Sequence, residues 1–219
     1  MTDPDRPAGE PAFNAPWPSL VLPFALIAAF VVHYYVLPSD VVAPLALSSQ
    51  AVLREGRWET LLTHIFLHGG WAHLLMNCGS ALAFGPPVAR LFGQGGRGAT
   101  FFLLFFLICG AFGGLGFVAM HMEGSGLVVG ASGAISGLWG AASRLLGRDG
   151  RLAPLFGRQV VTQALVFTVL NLLIGVAGGF TSLNIAWEAH VAGYLAGLLL
   201  IGPADRFAAR SRGRELPSG

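Results

Sequence analysis

Six stretches of this chain are apolar for roughly the 17–25 residues that a helix needs to cross a bilayer. They run at about Pro18–Leu37, Trp71–Leu91, Ala99–Met120, Ser132–Leu146, Val160–Ala177 and Ala189–Ile201. The second carries Pro86 and Pro87 near its end, and the sixth is expected to stop at Pro203. The fourth and sixth are short for a full crossing, which is permissible if they start below one surface, inside the protein. Between the first and second runs, Pro38 to about Leu62 mixes apolar patches with charges and Trp58, the pattern of a partly embedded, interfacial segment. The pattern therefore predicts an all-α, polytopic membrane protein: a six-helix domain over 18–203 with its first loop at about 38–62. Short polar tails over 1–17 and 204–219 flank it, the first disordered and the second basic. The proline-rich start lacks a charged segment followed by an apolar core, so it reads as a tail rather than a signal peptide.

Charge sets the direction. All 13 basic residues are arginine. If six spans alternate, Arg6, Arg90, Arg97, the group from Arg144 to Arg158 and the group from Arg206 to Arg214 fall on one side. Only Arg54 and Arg57 fall on the other. The excess of positive charge on cytoplasmic loops puts both termini in the cytoplasm and Pro38–Leu62 outside. Composition agrees: 54% of residues are hydrophobic and 11% charged, against about 25% charged in a soluble domain. The 31 glycines suit helices that approach closely in lipid. A net charge of +2 gives no reason to expect nucleic acid. Cys78 and Cys109 have no metal-like spacing and read as small core residues.

The chemistry concentrates in "HIFLHGGWAHLLMN", His64 to Asn77, where three histidines and an asparagine stand in an apolar setting. His73 and Asn77 are four apart and share a helix face. The alternation of spans brings His73, Asn77, Ser132 and His190 to the outer ends of spans two, four and six, at similar depth. Polar groups inside membrane spans are costly and face the bundle interior or a watery cavity. A serine beside a histidine suggests a nucleophile and its base. Two further donors at the same depth suit a developing oxyanion, as does the positive end of the helix that opens at Ser132. Gly133 and Gly137 on span four, and Gly193 and Gly197 on span six, have the four-residue spacing that lets two backbones pack closely.

Taken singly, each feature has a plainer account. A lone serine in a span usually bonds back to its own helix, and "GASG" could be a helix contact. His33 and His121 read as interfacial or loop residues. The conjunction at one depth is what points to a site.

The same residues resemble a known family, the rhomboid intramembrane serine proteases, from about Trp58 to Pro203. His64, His68, His73 and Asn77 stand in the family's HxxxHxxxxHxxxN spacing. Gly130–Gly133, "GASG", resembles its nucleophile motif, and "AHVAGYLAG" from Ala189 to Gly197 resembles its AHxxGxxxG motif. The resemblance implies a six-helix bundle with a serine–histidine dyad in a water-filled cavity open to the outer side. Ser132 would be the nucleophile and His190 the base. His73, Asn77 and the peptides of Gly130 and Ala131 would form or support the oxyanion site, while His64 and His68 would line the cavity. Two positions depart from the family. Glu59 follows Trp58 where an arginine is common, and Ser136 stands where an aromatic ring often stacks on the histidine. No acid completes a triad; Glu188, two residues before His190, points elsewhere.

The implied activity is cleavage of single-span transmembrane proteins near the outer membrane face, in a bacterial inner membrane, with the lipid bilayer as the other partner and no cofactor or metal. Three alternatives compete. An inactive rhomboid-like binding protein would lack the serine or the histidine. A metal or haem site on His64, His68 and His73 would leave Ser132 and His190 unexplained. A transporter would show a repeat of broken helices, and none is visible.

Overall fold

The computed structural model describes residues 15–124, 126–145, 151–179 and 186–211. The expected N-terminal tail lies almost wholly outside them. Within the described residues the chain is helical, with no strand beyond a single bridge between Leu47 and Val128.

Six long helices stand where the apolar runs place them. These are α1 (Trp17–Tyr35), α5 (Trp71–Phe92), α6 (Gly96–Met120), α7 (Ser132–Ser143), α8 (Arg158–Gly179) and α9 (Trp187–Ser211). Three short helices, α2 (Ser39–Val42), α3 (Ser49–Leu53) and α4 (Thr60–Thr63), lie in the loop between α1 and α5. By length and composition, α1, α6, α8 and α9 are apolar enough to cross a membrane. Helix α5 is long enough, but His73, Asn77, Arg90 and two prolines dilute it.

The sequence reading fails for α9, which does not stop at Pro203. It continues through Ser211, so 204–211 of the expected basic tail is helical. Proline removes one backbone donor and clashes with the preceding turn, yet tertiary packing holds the remainder. Ala208 and Ala209 are buried, and Phe207 meets Phe101 of α6 edge to face at 5.7 Å.

Helix α7 is the centre of the bundle. Nearly every residue from Gly133 to Ser143 is buried, against α5, α6, α8 and α9. A helix with protein around it need not match the bilayer thickness, and this accounts for its 12 residues. Lipid tails are as apolar as leucine, so close packing rather than water exclusion drives such contacts. Glycines supply the closeness. A Cβ on Gly193 would lie 2.8 Å from the carbonyl carbon of Gly133, and one on Gly197 would lie 2.7 Å from the Cα of Gly137. The two glycine rows expected on spans four and six therefore face one another. Cys78 and Cys109 are buried and unpaired. Helix α8 sits at the periphery and presents Leu165 and Leu172 outward.

The loop before α5 is fastened to the segment that leads into α7. Leu47 and Val128 exchange backbone hydrogen bonds of 3.0 and 2.8 Å, and the Gly130 N–H donates to the His64 carbonyl at 2.9 Å. Within the loop, the Thr63 hydroxyl donates to the Leu45 carbonyl and Arg57 donates to the Pro44 carbonyl and to Glu59. Arg57, one place before Trp58, thus braces the loop although Glu59 follows the tryptophan.

Candidate active site

Helix α7 opens at Ser132 without a side-chain cap, so its first N–H groups are not taken up by a capping residue. Helix α9 descends beside it, and the facing glycines fix how far apart the two axes lie. At the top of this contact His190 Nε2 stands 2.8 Å from Ser132 Oγ, joining residues 58 positions apart. Both side chains are half-buried, so the pair is sheltered yet reachable. A neutral imidazole in this place can take the hydroxyl proton and return it.

The other ring nitrogen is also engaged. His190 Nδ1 lies 2.8 Å from Oδ1 of Asn171 on α8. Asn171 is 8% exposed, and its Nδ2 reaches the Trp187 carbonyl at 3.4 Å. The sequence reading passed over this residue. A signal was present: an amide within the apolar run "TVLNLLIG", where a polar group is expected to face the bundle.

His73, on the first turn of α5, lies against the peptide just before Ser132. A Cβ on Gly130 would sit 2.7 Å from both Cε1 and Nε2 of its ring. Gly130 also has φ +124°, a conformation that side chains disfavour, so glycine there has two independent reasons. Ala131 is fully buried, and its carbonyl accepts the first bond of α7, from the Ile135 N–H. Asn77 is buried one turn below His73, and its Nδ2 donates to the His73 carbonyl at 2.9 Å. An amide nitrogen carries two hydrogens, so this bond leaves one available.

The two earlier histidines belong to the loop. His64 Nδ1–H donates to the Thr60 carbonyl at 2.7 Å, while its own carbonyl holds Gly130. Burial pushes its imidazole down to about 4. His68 is likewise pushed down to about 4, by burial first and then by His73 and His33. The His68 ring packs on His73 at 5.1 Å, and its backbone N–H donates to His33 Nε2 at 3.1 Å. His33 is thus structural. The stretch from His64 to Asn77 therefore divides: the His64 ring bonds within the loop, the His68 ring packs on His73, His73 lies against Gly130, and Asn77 is bonded to the His73 carbonyl. Among the described residues no group of three His, Cys, Asp or Glu side chains is placed to hold a metal. Ser136 is buried inside α7, and among the described residues no aromatic ring stacks on His190.

Comparison with known proteins bears on the family. The family model described as the rhomboid domain matches residues 55–204. The chain is 32% identical over 153 residues to "Putative rhomboid protease YdcA" of Bacillus subtilis (strain 168), covering 67% of each chain.

Proposed function

The chain belongs to the rhomboid family of integral, multi-pass membrane proteins, and on that premise we propose that it is an intramembrane serine endopeptidase with Ser132 and His190 as its dyad. The family acts on transmembrane substrates within the bilayer. The observation that carries the reading is the 2.8 Å contact between Ser132 Oγ and His190 Nε2.

In this mechanism His190 Nε2 takes the proton as Ser132 Oγ attacks the scissile carbonyl. The negative charge that forms on the carbonyl oxygen lies at the N-terminus of α7, where the Ser132 N–H, the helix dipole and donors from His73 and Asn77 favour it. The imidazolium then protonates the leaving amine. Water, activated by the same base, releases the acyl group and regenerates the hydroxyl.

The arginine distribution supports an orientation with both termini in the cytoplasm, in a bacterial inner membrane, and with the mouth of the site outside. A substrate helix hides its peptide bonds in internal hydrogen bonds. It must unwind near its outer end to reach Ser132, and helix-breaking residues there lower that cost. The substrates are single-span proteins cut in the outer third of the span or just outside it.

The test incubates purified protein with a panel of single-span substrates and identifies the products by mass spectrometry. Ser132→Ala should abolish cleavage with the fold intact. His190→Ala should be nearly as damaging, and the double variant no worse than the worse single one, because the pair acts as a unit. Substantial cleavage by Ser132→Ala, or cuts in the cytoplasmic half of the span, would overturn the assignment.

A further inference from the structure

We infer that Asn171 is a positioning residue that fixes the tautomer and ring orientation of His190, so that the working unit is Ser132–His190–Asn171 spread over α7, α9 and α8. The inference rests on the reading of Ser132 and His190 as the dyad.

The polarity of the hydrogen-bond chain follows from its far end. The Trp187 carbonyl can only accept, so the Asn171 atom 3.4 Å from it is the donating Nδ2. The atom 2.8 Å from His190 Nδ1 is then Oδ1. An amide oxygen can only accept, so Nδ1 carries the hydrogen. In the neutral ring that leaves the lone pair on Nε2, the atom facing Ser132 Oγ at 2.8 Å. Each link therefore has one allowed direction, and the direction is the one in which Nε2 can receive the serine proton. When that proton arrives the ring carries a charge, and Oδ1 remains in place to accept from Nδ1–H throughout.

Two other observations explain why an amide is needed here. Glu188, the only acid on the first turn of α9, is turned to His121 at 3.6 Å and so is not the orienting partner. The position one turn into α7, where a ring could have stacked on the imidazole, is Ser136. The orientation of His190 is thus left to a group on the third helix. Asn171 is suited to that task because it is buried and held by its own second hydrogen bond.

The experiment compares Asn171→Leu, Asn171→Asp and Gln163→Leu with the parent protein, in steady-state cleavage of one transmembrane substrate. Asn171→Leu keeps the size and removes the acceptor. Its kcat should fall about 10–100-fold, part of what general base catalysis contributes, with KM changed by less than about twofold because Asn171 is buried and bonded to His190 and the Trp187 carbonyl. Asn171→Asp offers an oxygen to Nδ1–H whether or not it is ionised, and should recover most of the lost kcat. Gln163, on the same helix, accepts from Trp139 Nε1 of α7 at 2.9 Å. Gln163→Leu loosens α8 without reaching His190, and its kcat should stay within about twofold of the parent, as for a bond that contributes only to docking.

An Asn171→Leu variant with unchanged kcat would overturn the inference. So would an equal loss in Gln163→Leu, which would assign the effect to helix docking, or a failure of Asn171→Asp to recover activity while it folds normally. Ser132→Ala in the same assay separates the two levels. If Ser132→Ala is inactive and Asn171→Leu is not impaired, only the role of Asn171 fails. If Ser132→Ala still cleaves, the dyad itself fails.

Discussion

Substituting Gly193 by alanine tests whether the spacing of two helices controls the chemistry. Gly193 lies three residues after His190 on α9, on the face that meets α7. The added methyl would stand 2.8 Å from the carbonyl carbon of Gly133, 3.3 Å from its Cα, and closer still to its oxygen. These are backbone atoms of a helix buried on all sides, so no side chain can turn away. The shortfall against an ordinary carbon–carbon contact of roughly 3.5–4.0 Å is about 1 Å. Helix α9 must retreat by that much, and His190 goes with it. The Ser132–His190 separation, 2.8 Å in the parent, would open to about 3.8 Å, beyond hydrogen-bond range. A displacement of this size can cost on the order of 10²-fold in rate, while overpacking itself costs about 1–3 kcal/mol of stability. The assay is cleavage of a transmembrane substrate in proteoliposomes, with thermal unfolding in detergent measured alongside. Gly79→Ala on α5 is the control: nothing lies within 4 Å of its Cβ position, and alanine there raises helix propensity by about 1 kcal/mol. If Gly193→Ala kept turnover within about twofold of the parent while folded, its loss being well short of that expected for such a displacement, the argument from helix spacing would be wrong.

Two more outcomes are expected. Gly130→Ala should lower stability by about 1–3 kcal/mol, the cost of a side chain held in so sparsely populated a conformation. It should also reduce turnover, since its methyl would stand 2.7 Å from the His73 ring; a variant with parental melting temperature and turnover would contradict this. Burial of His64 lowers its pKa from 6.5 to about 4, so between those values the unfolded chain binds more protons than the folded one. Stability should therefore decline as pH falls through that window, by on the order of 3 kcal/mol from this group. His64→Asn, which keeps a donor for the Thr60 carbonyl without titrating, should make the decline in detergent melting curves shallower while His68 keeps its own share, and an unchanged pH dependence would argue against the buried neutral ring.

Much of this fold was legible because lipid makes the pattern coarse. A run of apolar residues long enough to cross has few structural outcomes, and the starts of α5 at Trp71 and α7 at Ser132 fall where the runs begin. The meeting of Ser132 with His190 could be anticipated because alternating spans fix depth, and facing glycine rows fix which helices touch. The length of α9 could not. Pro203 reads as a stop locally, and the contacts of Phe207, Ala208 and Ala209 that carry the helix onward come from other parts of the chain. The short helices of the outer loop were illegible for a similar reason: four or five residues carry no periodicity, and long-range bonds such as that from Thr63 to Leu45 define them. Asn171 carries no motif, only a lone amide in an apolar run, and its partner is set by how α8 is rotated against α9.

The brevity of α7 has a consequence for how the protein is made. Twelve residues rise only about 18 Å, well short of a hydrocarbon core of roughly 30 Å. Such a segment is a poor candidate for independent insertion as it leaves the ribosome, and its natural environment is the groove formed by helices already in place together with α9, which is synthesised later. Assembly is thus ordered: Ser132 must wait for α9 before it acquires both a packed seat and the His190 ring beside it. On the proposed reading, a chain released before α9 emerges would carry Ser132 without its proton acceptor, so activity would arrive only once α9 has packed against α7.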